Sequence, residues 1–256
     1  MQYSFSAQEL LCMAYFADYE YICGIPDIFS VVPEEEAVRL FDETAEKLLS
    51  DGVLEMDFDG EVSLCESYWE VMQMCCACDR CLTVNRQFGE DAGQTQIFWI
   101  LDGVCWMAEA CNQKYLFSVA DFPVMTADIG WNSENLIAVP EMTIVDAFLF
   151  KAKRQLLEGN EENCQRTLYQ NGASKELAAV LMDGYKNQAE FLELSLFTFE
   201  EDGLVEVTVS FLGGHGISLE MIPKQEGFRD CTAFIPRDNK EINDGIRRLC
   251  ALFLGK

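Results

Sequence analysis

Twice along this chain a helical spacing of apolar residues gives way to short β-branched and aromatic segments separated by tight turns. That double change of period limits the possible folds more than any other feature. The first change comes near residue 95, where 95–101, 104–110 and 114–120 read as strands joined at Asp102-Gly103 and Asn112. The second comes near residue 191, followed by strand-like 191–199, 204–212, 217–222 and 231–235. Segments this close together, joined by such turns, pair as antiparallel meanders. The expectation is an α+β chain in two pseudo-repeated halves, 1–139 and 140–256. Each half is helices followed by an antiparallel β-meander, with a C-terminal helix at the end and the whole packed as one compact unit.

The helices announce themselves by their caps. Ser6-Ala7-Gln8-Glu9 ahead of Leu10 and Leu11 is a capping box, predicting a helix over 7–21 that Gly24-Ile25-Pro26 stops. Pro33 followed by Glu34, Glu35 and Glu36 puts a proline and three acids where free amides and the helix dipole favour them. The apolar stripe of this second helix is Val38, Phe41, Ala45, Leu48 and Leu49, and Asp51-Gly52 ends it. Residues 53–58 and 61–64 flank Asp59-Gly60 as a hairpin, so that helix and hairpin together resemble half of a winged helix. A third helix is expected over 68–84, a linker over 87–94, a loop over 121–134 and an extended piece over 136–139. Further helices are expected over 141–158, 161–170 and 175–187, the last capped by Ser174. Asp238 opens the final amphipathic helix, which carries Ile242, Ile246, Leu249 and Phe253.

An internal echo accompanies this order. Pro33-Glu34, Val38, Phe41, Ala45, Leu49 and Gly52 recur 107 positions later as Pro140-Glu141, Val145, Phe148, Ala152, Leu156 and Gly159. Seven identities in twenty positions suggest a duplication.

Charge narrows the function. Asp and Glu number 44 against 18 Lys and Arg, a formal net charge of −26, so most of the surface repels a phosphate backbone and nucleic-acid binding is not expected. A DNA-reading winged helix needs cations on its recognition helix, yet 34–51 carries only Arg39 and Lys47 against seven acids. The N-terminal stretch is broken by Glu9, Asp18 and Glu20 and has no Lys or Arg before Arg39, which does not fit a secretory signal. No apolar run is long enough to span a bilayer, so no membrane insertion is expected. Twelve cysteines without an export signal suit a reducing compartment, and the expected location is the cytoplasm.

Three groups of side chains could carry chemistry. Cys75, Cys76, Cys78 and Cys81 have spacings that can hold zinc or an iron-sulfur cluster. On one continuous helix, however, their sulfurs would point different ways, and no second Cys-x-x-Cys pair completes a ribbon. Burial as small apolar side chains is the plainer reading. His215 is the only histidine, and Gly213-Gly214-His215-Gly216 could expose amides beside an imidazole; as a hairpin tip it needs no catalytic explanation. The carboxylate pairs fit no EF-hand loop, and no glycine-rich loop links a strand to a helix as phosphate binding would require. The reading is a non-enzymatic binding protein without a cofactor.

The order of elements resembles the EspG family of type VII (ESX) secretion chaperones. The resemblance is carried by Leu10 and Leu11, by the 34–52 helix with its Leu-Leu-Ser-Asp-Gly end, and by 168–179 (Leu-Tyr-Gln-Asn-Gly-Ala-Ser-Lys-Glu-Leu-Ala-Ala). The Asp202-Gly203 hairpin and the helix after Pro236 complete it. Gly213-Gly214-His215-Gly216-Ile217 stands where that family often has a Gly-Arg-Tyr-type signature. The resemblance implies a cytoplasmic chaperone or adaptor that holds a helical protein substrate before export. The alternatives are an acidic winged-helix-like regulator acting through protein contacts and a cysteine-cluster metal or redox protein.

The segment from Phe191 to Phe199 puts apolar side chains on both faces of one strand, more than a sheet with one wet face can hide. Phe197 and Phe199, with the tip Gly213, Gly214, His215 and Gly216 on a projecting hairpin, are therefore the expected partner-binding residues. Glu200, Glu201 and Asp202 would form an acidic rim.

Overall fold

The computed structural model describes residues 3–87, 93–120, 129–133, 137–200 and 203–255. The chain is α+β, with two successive passes of helices, each followed by four strands. The first pass is β1 (Tyr3–Phe5), then helices α1 (Ala7–Phe16), α2 (Glu34–Ser50) and α3 (Trp69–Cys76) with a small hairpin β2 (Leu54–Met56) and β3 (Val62–Leu64) between the last two. The meander β4 (Arg80–Gln87), β5 (Gln94–Leu101), β6 (Val104–Cys111) and β7 (Lys114–Val119) follows. The second pass is β8 (Met142–Val145), α4 (Asp146–Leu157), α5 (Glu161–Gln170), α6 (Lys175–Tyr185), then β9 (Glu190–Glu200), β10 (Gly203–Gly214), β11 (Ile217–Glu226) and β12 (Arg229–Pro236). Helix α7 (Asn239–Phe253) closes the chain.

In each pass the leading strand adds antiparallel to the last strand of its own meander. Tyr3 pairs with Phe117 and Phe5 with Tyr115, giving the order β1-β7-β6-β5-β4. Ile144 pairs with Thr232, giving β9-β10-β11-β12-β8. In this order α4 occupies the place of α1, not that of α2. The 107-residue echo therefore joins two helices from different places in the two passes.

Three expectations change. The helix expected over 7–21 ends at Phe16, because Asp18 takes a left-handed conformation (φ 59°) and Tyr19 N–H and Asp18 N–H close on Ala14 O and Tyr15 O. Those two bonds form a Schellman stop, with Asp in place of the usual glycine. The helix expected over 68–84 ends at Cys76, and Arg80 already begins β4. The helix expected over 141–158 starts only at Asp146. The β-branched stretch Thr143-Ile144-Val145 is instead strand, where β12 offers it an edge. The expected capping box forms between Ser6 and Glu9, and Asp238, expected to open the last helix, does so with a capping box of its own through Glu241.

The chain divides into two compact units. The first comprises Met1–Thr83, Gln96–Phe122 and Leu196–Glu206, and the second Val84–Thr95, Pro123–Ser195 and Val207–Lys256. Trp99 and Phe117 stack at the centre of unit 1 with centroids 5.6 Å apart, among buried Leu10, Met13 and Met72. Unit 2 buries Phe234, Leu168, Leu177 and Leu219 in its core, and Trp131 is buried elsewhere in the unit. Side chains of this size contribute about 1.5–3 kcal/mol each on burial, which fixes the helices against their strands.

Candidate binding surfaces

Unit 2 presents a groove of about 340 Å³ between α4, α6 and strands β10 to β12. Leu149, Phe150, Tyr185, Met221 and Phe234 give it an apolar floor and wall, with Lys153 on its rim. Helix α4 produces this surface because its apolar residues exceed one stripe. Ala152 and Leu156 are buried in the core on the same row as Phe148, while Phe150 and Leu157 stand on another side of the helix at 69% exposure each. The same helix carries Lys151, Lys153 and Arg154, of which Arg154 is paired with Glu158 at 2.8 Å. Tyr185 donates its hydroxyl to Leu149 O at 3.3 Å and holds α6 to α4. Burial pushes that hydroxyl's pKa up, so it stays a donor.

The hairpin tip expected to bind a partner lies in this unit. His215 and Gly216 form a two-residue turn with φ of 51° and 74°, the primed geometry that matches strand twist. His215 Nε2 lies 2.7 Å from Asp183 Oδ2 on α6, which holds the tip to that helix. Gly213 is buried, and any Cβ there would stand 2.6 Å from the Trp131 ring. Trp131 is itself fixed by its indole donating to Ser218 Oγ at 3.0 Å and by Asn243, which bonds its N–H and C=O.

Phe197 and Phe199 belong to unit 1, where they are half-buried against the core, and Phe199 stacks on Tyr21. Unit 1 has its own groove, of about 750 Å³, between α1, α2 and the 17–29 segment. Backbone bonds hold that segment in place: Cys23 N–H donates to Cys75 O at 3.1 Å, and the Trp99 indole donates to Cys23 O at 2.9 Å. Of the acidic rim expected at 200–202, Glu201 and Asp202 lie outside the described residues.

The four cysteines named as metal candidates are divided by the break between α3 and β4. Cys75 and Cys76 end the helix, Cys78 sits in the turn and Cys81 is on the strand, and all are buried. Cys23 joins them as a fifth buried thiol. Burial pushes the Cys76 thiol up to about 12 and holds Cys75 well above the usual thiol range, so these groups hold their protons at neutral pH. Among the described residues no three His, Cys, Asp or Glu side chains come together as a metal site. No helix among them is long and apolar enough to cross a membrane.

No family model matches the chain, and no curated protein matches it. Among solved structures the chain is similar to the Mycobacterium tuberculosis type VII secretion system chaperone EspG5, determined in complex with the PE25-PPE41 dimer. The identity is 12% and the TM-score 0.49, over 98% of this chain and 96% of that one. At that identity and score the likeness carries no argument about function.

Phe150 and Leu157 of α4 were not singled out in the sequence. A signal was present, since both fall off the i, i+4 stripe formed by Phe148, Ala152 and Leu156.

Proposed function

We propose that this protein is a non-enzymatic binding protein, a chaperone or adaptor that holds a helical type VII secretion substrate through the groove of unit 2. The observation that carries the reading is Phe150 of α4, which stands 69% exposed at a groove already lined by apolar side chains, with Leu157 two turns further along the same side of the helix. Exposed apolar surface beside a concave site suits the apolar stripe of an amphipathic helix. The resemblance in element order to the EspG family supports the same class of partner. A groove of this size takes a few side chains and not a whole helix, so the partner would lie across it with its anchors inserted. The experiment is co-expression with candidate small helical-hairpin proteins from the same genome, followed by size-exclusion chromatography. The expected result is a co-eluting complex that Phe150→Asp disrupts in a folded variant. Undiminished co-elution of the variant would remove this surface.

A further inference from the structure

Unit 1 holds a second concave surface of a different chemistry. Between residues 15 and 29 aromatic and acidic residues interleave: Tyr15, Phe16, Asp18, Tyr19, Glu20, Tyr21, Asp27 and Phe29. The Schellman stop at Asp18 turns this stretch back along α1, and the clamps on Cys23 fix it. Gly24 permits the clamp, because φ is +79° and a Cβ would lie 2.9 Å from both Ile97 and Thr83. The aromatic rings are therefore held in place. Phe41 on α2 meets Tyr15 edge-on at 5.1 Å, and Phe29 packs against Phe41 at 5.9 Å.

The groove between these elements measures about 750 Å³, and its lining includes three carboxylates and no Lys or Arg. Asp27 is occupied in accepting the Phe29 and Ser30 N–H groups. The carboxylates of Asp18 and Glu20 make no hydrogen bond or ion pair among the described residues, and both are exposed. Arg39, the cation next to Val38, is taken by Glu43 at 2.7 Å. Beside these charges Tyr15 and Val38 remain 65% and 56% exposed. Apolar surface left in water next to unpaired carboxylates and open tyrosine faces suits a ligand that is both apolar and cationic. Carboxylates and ring faces attract a guanidinium or ammonium group, and its aliphatic stem lies on the apolar wall.

We infer that this groove is a docking site for an amphipathic protein segment whose apolar stripe is flanked by Lys or Arg. Asp18 and Glu20 receive the cations, and Tyr15, Val38 and Phe41 receive the apolar anchors. A phosphate-bearing partner is repelled by the same carboxylates. The surface lies in unit 1, so it stands or falls independently of the groove around Phe150.

The test uses the full chain and two labelled 18-residue helical peptides with one shared Leu/Phe stripe, flanked by Lys in one and by Glu in the other, read by fluorescence anisotropy. The Lys-flanked peptide is expected to bind at least about tenfold tighter, with salt weakening it. Asp18→Asn with Glu20→Gln should abolish most of that preference, whereas removing two remote acids, Glu162→Gln with Glu176→Gln, should leave it. Tyr15→Ala should weaken both peptides, and Phe150→Asp should change neither. All of these positions are solvent-facing or half-buried, and circular dichroism checks that each variant is folded. Equal binding of the two peptides, or equal loss in the remote control, would overturn the inference. So would a self-associated dimer that Tyr15→Ala dissolves, since the occupant would then be a second copy.

Discussion

The ring of Phe199 stacks on that of Tyr21, with centroids 6.0 Å apart and planes 18° from parallel. A residue read from the sequence as partner-facing thus backs the wall of the unit 1 groove. Phe199→Ala should cost about 1–2 kcal/mol, the usual size for truncating a half-buried aromatic side chain. It should also weaken the Lys-flanked peptide by loosening Tyr21. Urea denaturation and anisotropy on one preparation check both, and a variant that loses stability but keeps full affinity would separate Phe199 from the groove.

Gly24 is the backbone requirement of the same wall. Gly24→Ala must accept both a left-handed φ and contacts under 3 Å with Ile97 and Thr83. A loss of about 2–4 kcal/mol is expected in urea denaturation. A neutral result would mean that the 17–29 segment can shift freely.

Glu9 links α1 to α2. It completes the Ser6 capping box and pairs with Lys47 while only 5% exposed. Burial alone raises its carboxyl, but the bonds from Lys47 and the Ser6 N–H outweigh this and hold it below the usual carboxylate range. A carboxyl depressed by folding contributes stability present above its unfolded pKa, about 4.3, and lost as pH falls through the folded value. The Lys47 ammonium is raised by the same partner, so its share is full below its unfolded pKa, about 10.4, and is lost as pH rises through the folded value. Glu9→Gln should therefore be less stable by about 1–2 kcal/mol at neutral pH, with the gap closing in acid. A gap of constant size from pH 7 to pH 3 would contradict the assignment.

The buried thiols should behave as packing. Cys75→Ala is expected to cost about 1–3 kcal/mol through the cavity it leaves. A thiol reagent should label exposed Cys111 quickly and Cys75, Cys76, Cys78 and Cys81 only on unfolding. Rapid labelling of the four in folded protein would show a reactive cluster.

The regular parts of this fold were legible because each has a local cause. The capping box at Ser6, the helix start at Asp238, the glutamate-rich start of α2, the turn at Asp102-Gly103 and the hairpin tip within 213–216 all formed where the residues said they would. The misses were choices settled by tertiary partners. Thr143 to Val145 became strand because β12 gave them an edge, and residues 80–84 because β5 stood beside them. Asp18 stopped a helix in a role usually given to glycine. The unit 1 groove escaped notice because Asp18 and Glu20 read only as breaks in an apolar stretch until the chain reversal brought them beside Tyr15 and Val38.

The central claim is that unit 2 holds a helical partner on the α4 face, and the most direct measurement is co-elution of the purified chain with a candidate helical-hairpin protein from the same genome. The account predicts one complex peak for the native chain and separate peaks for Phe150→Asp, with circular dichroism unchanged. A folded Phe150→Asp variant that still co-elutes in full would contradict it.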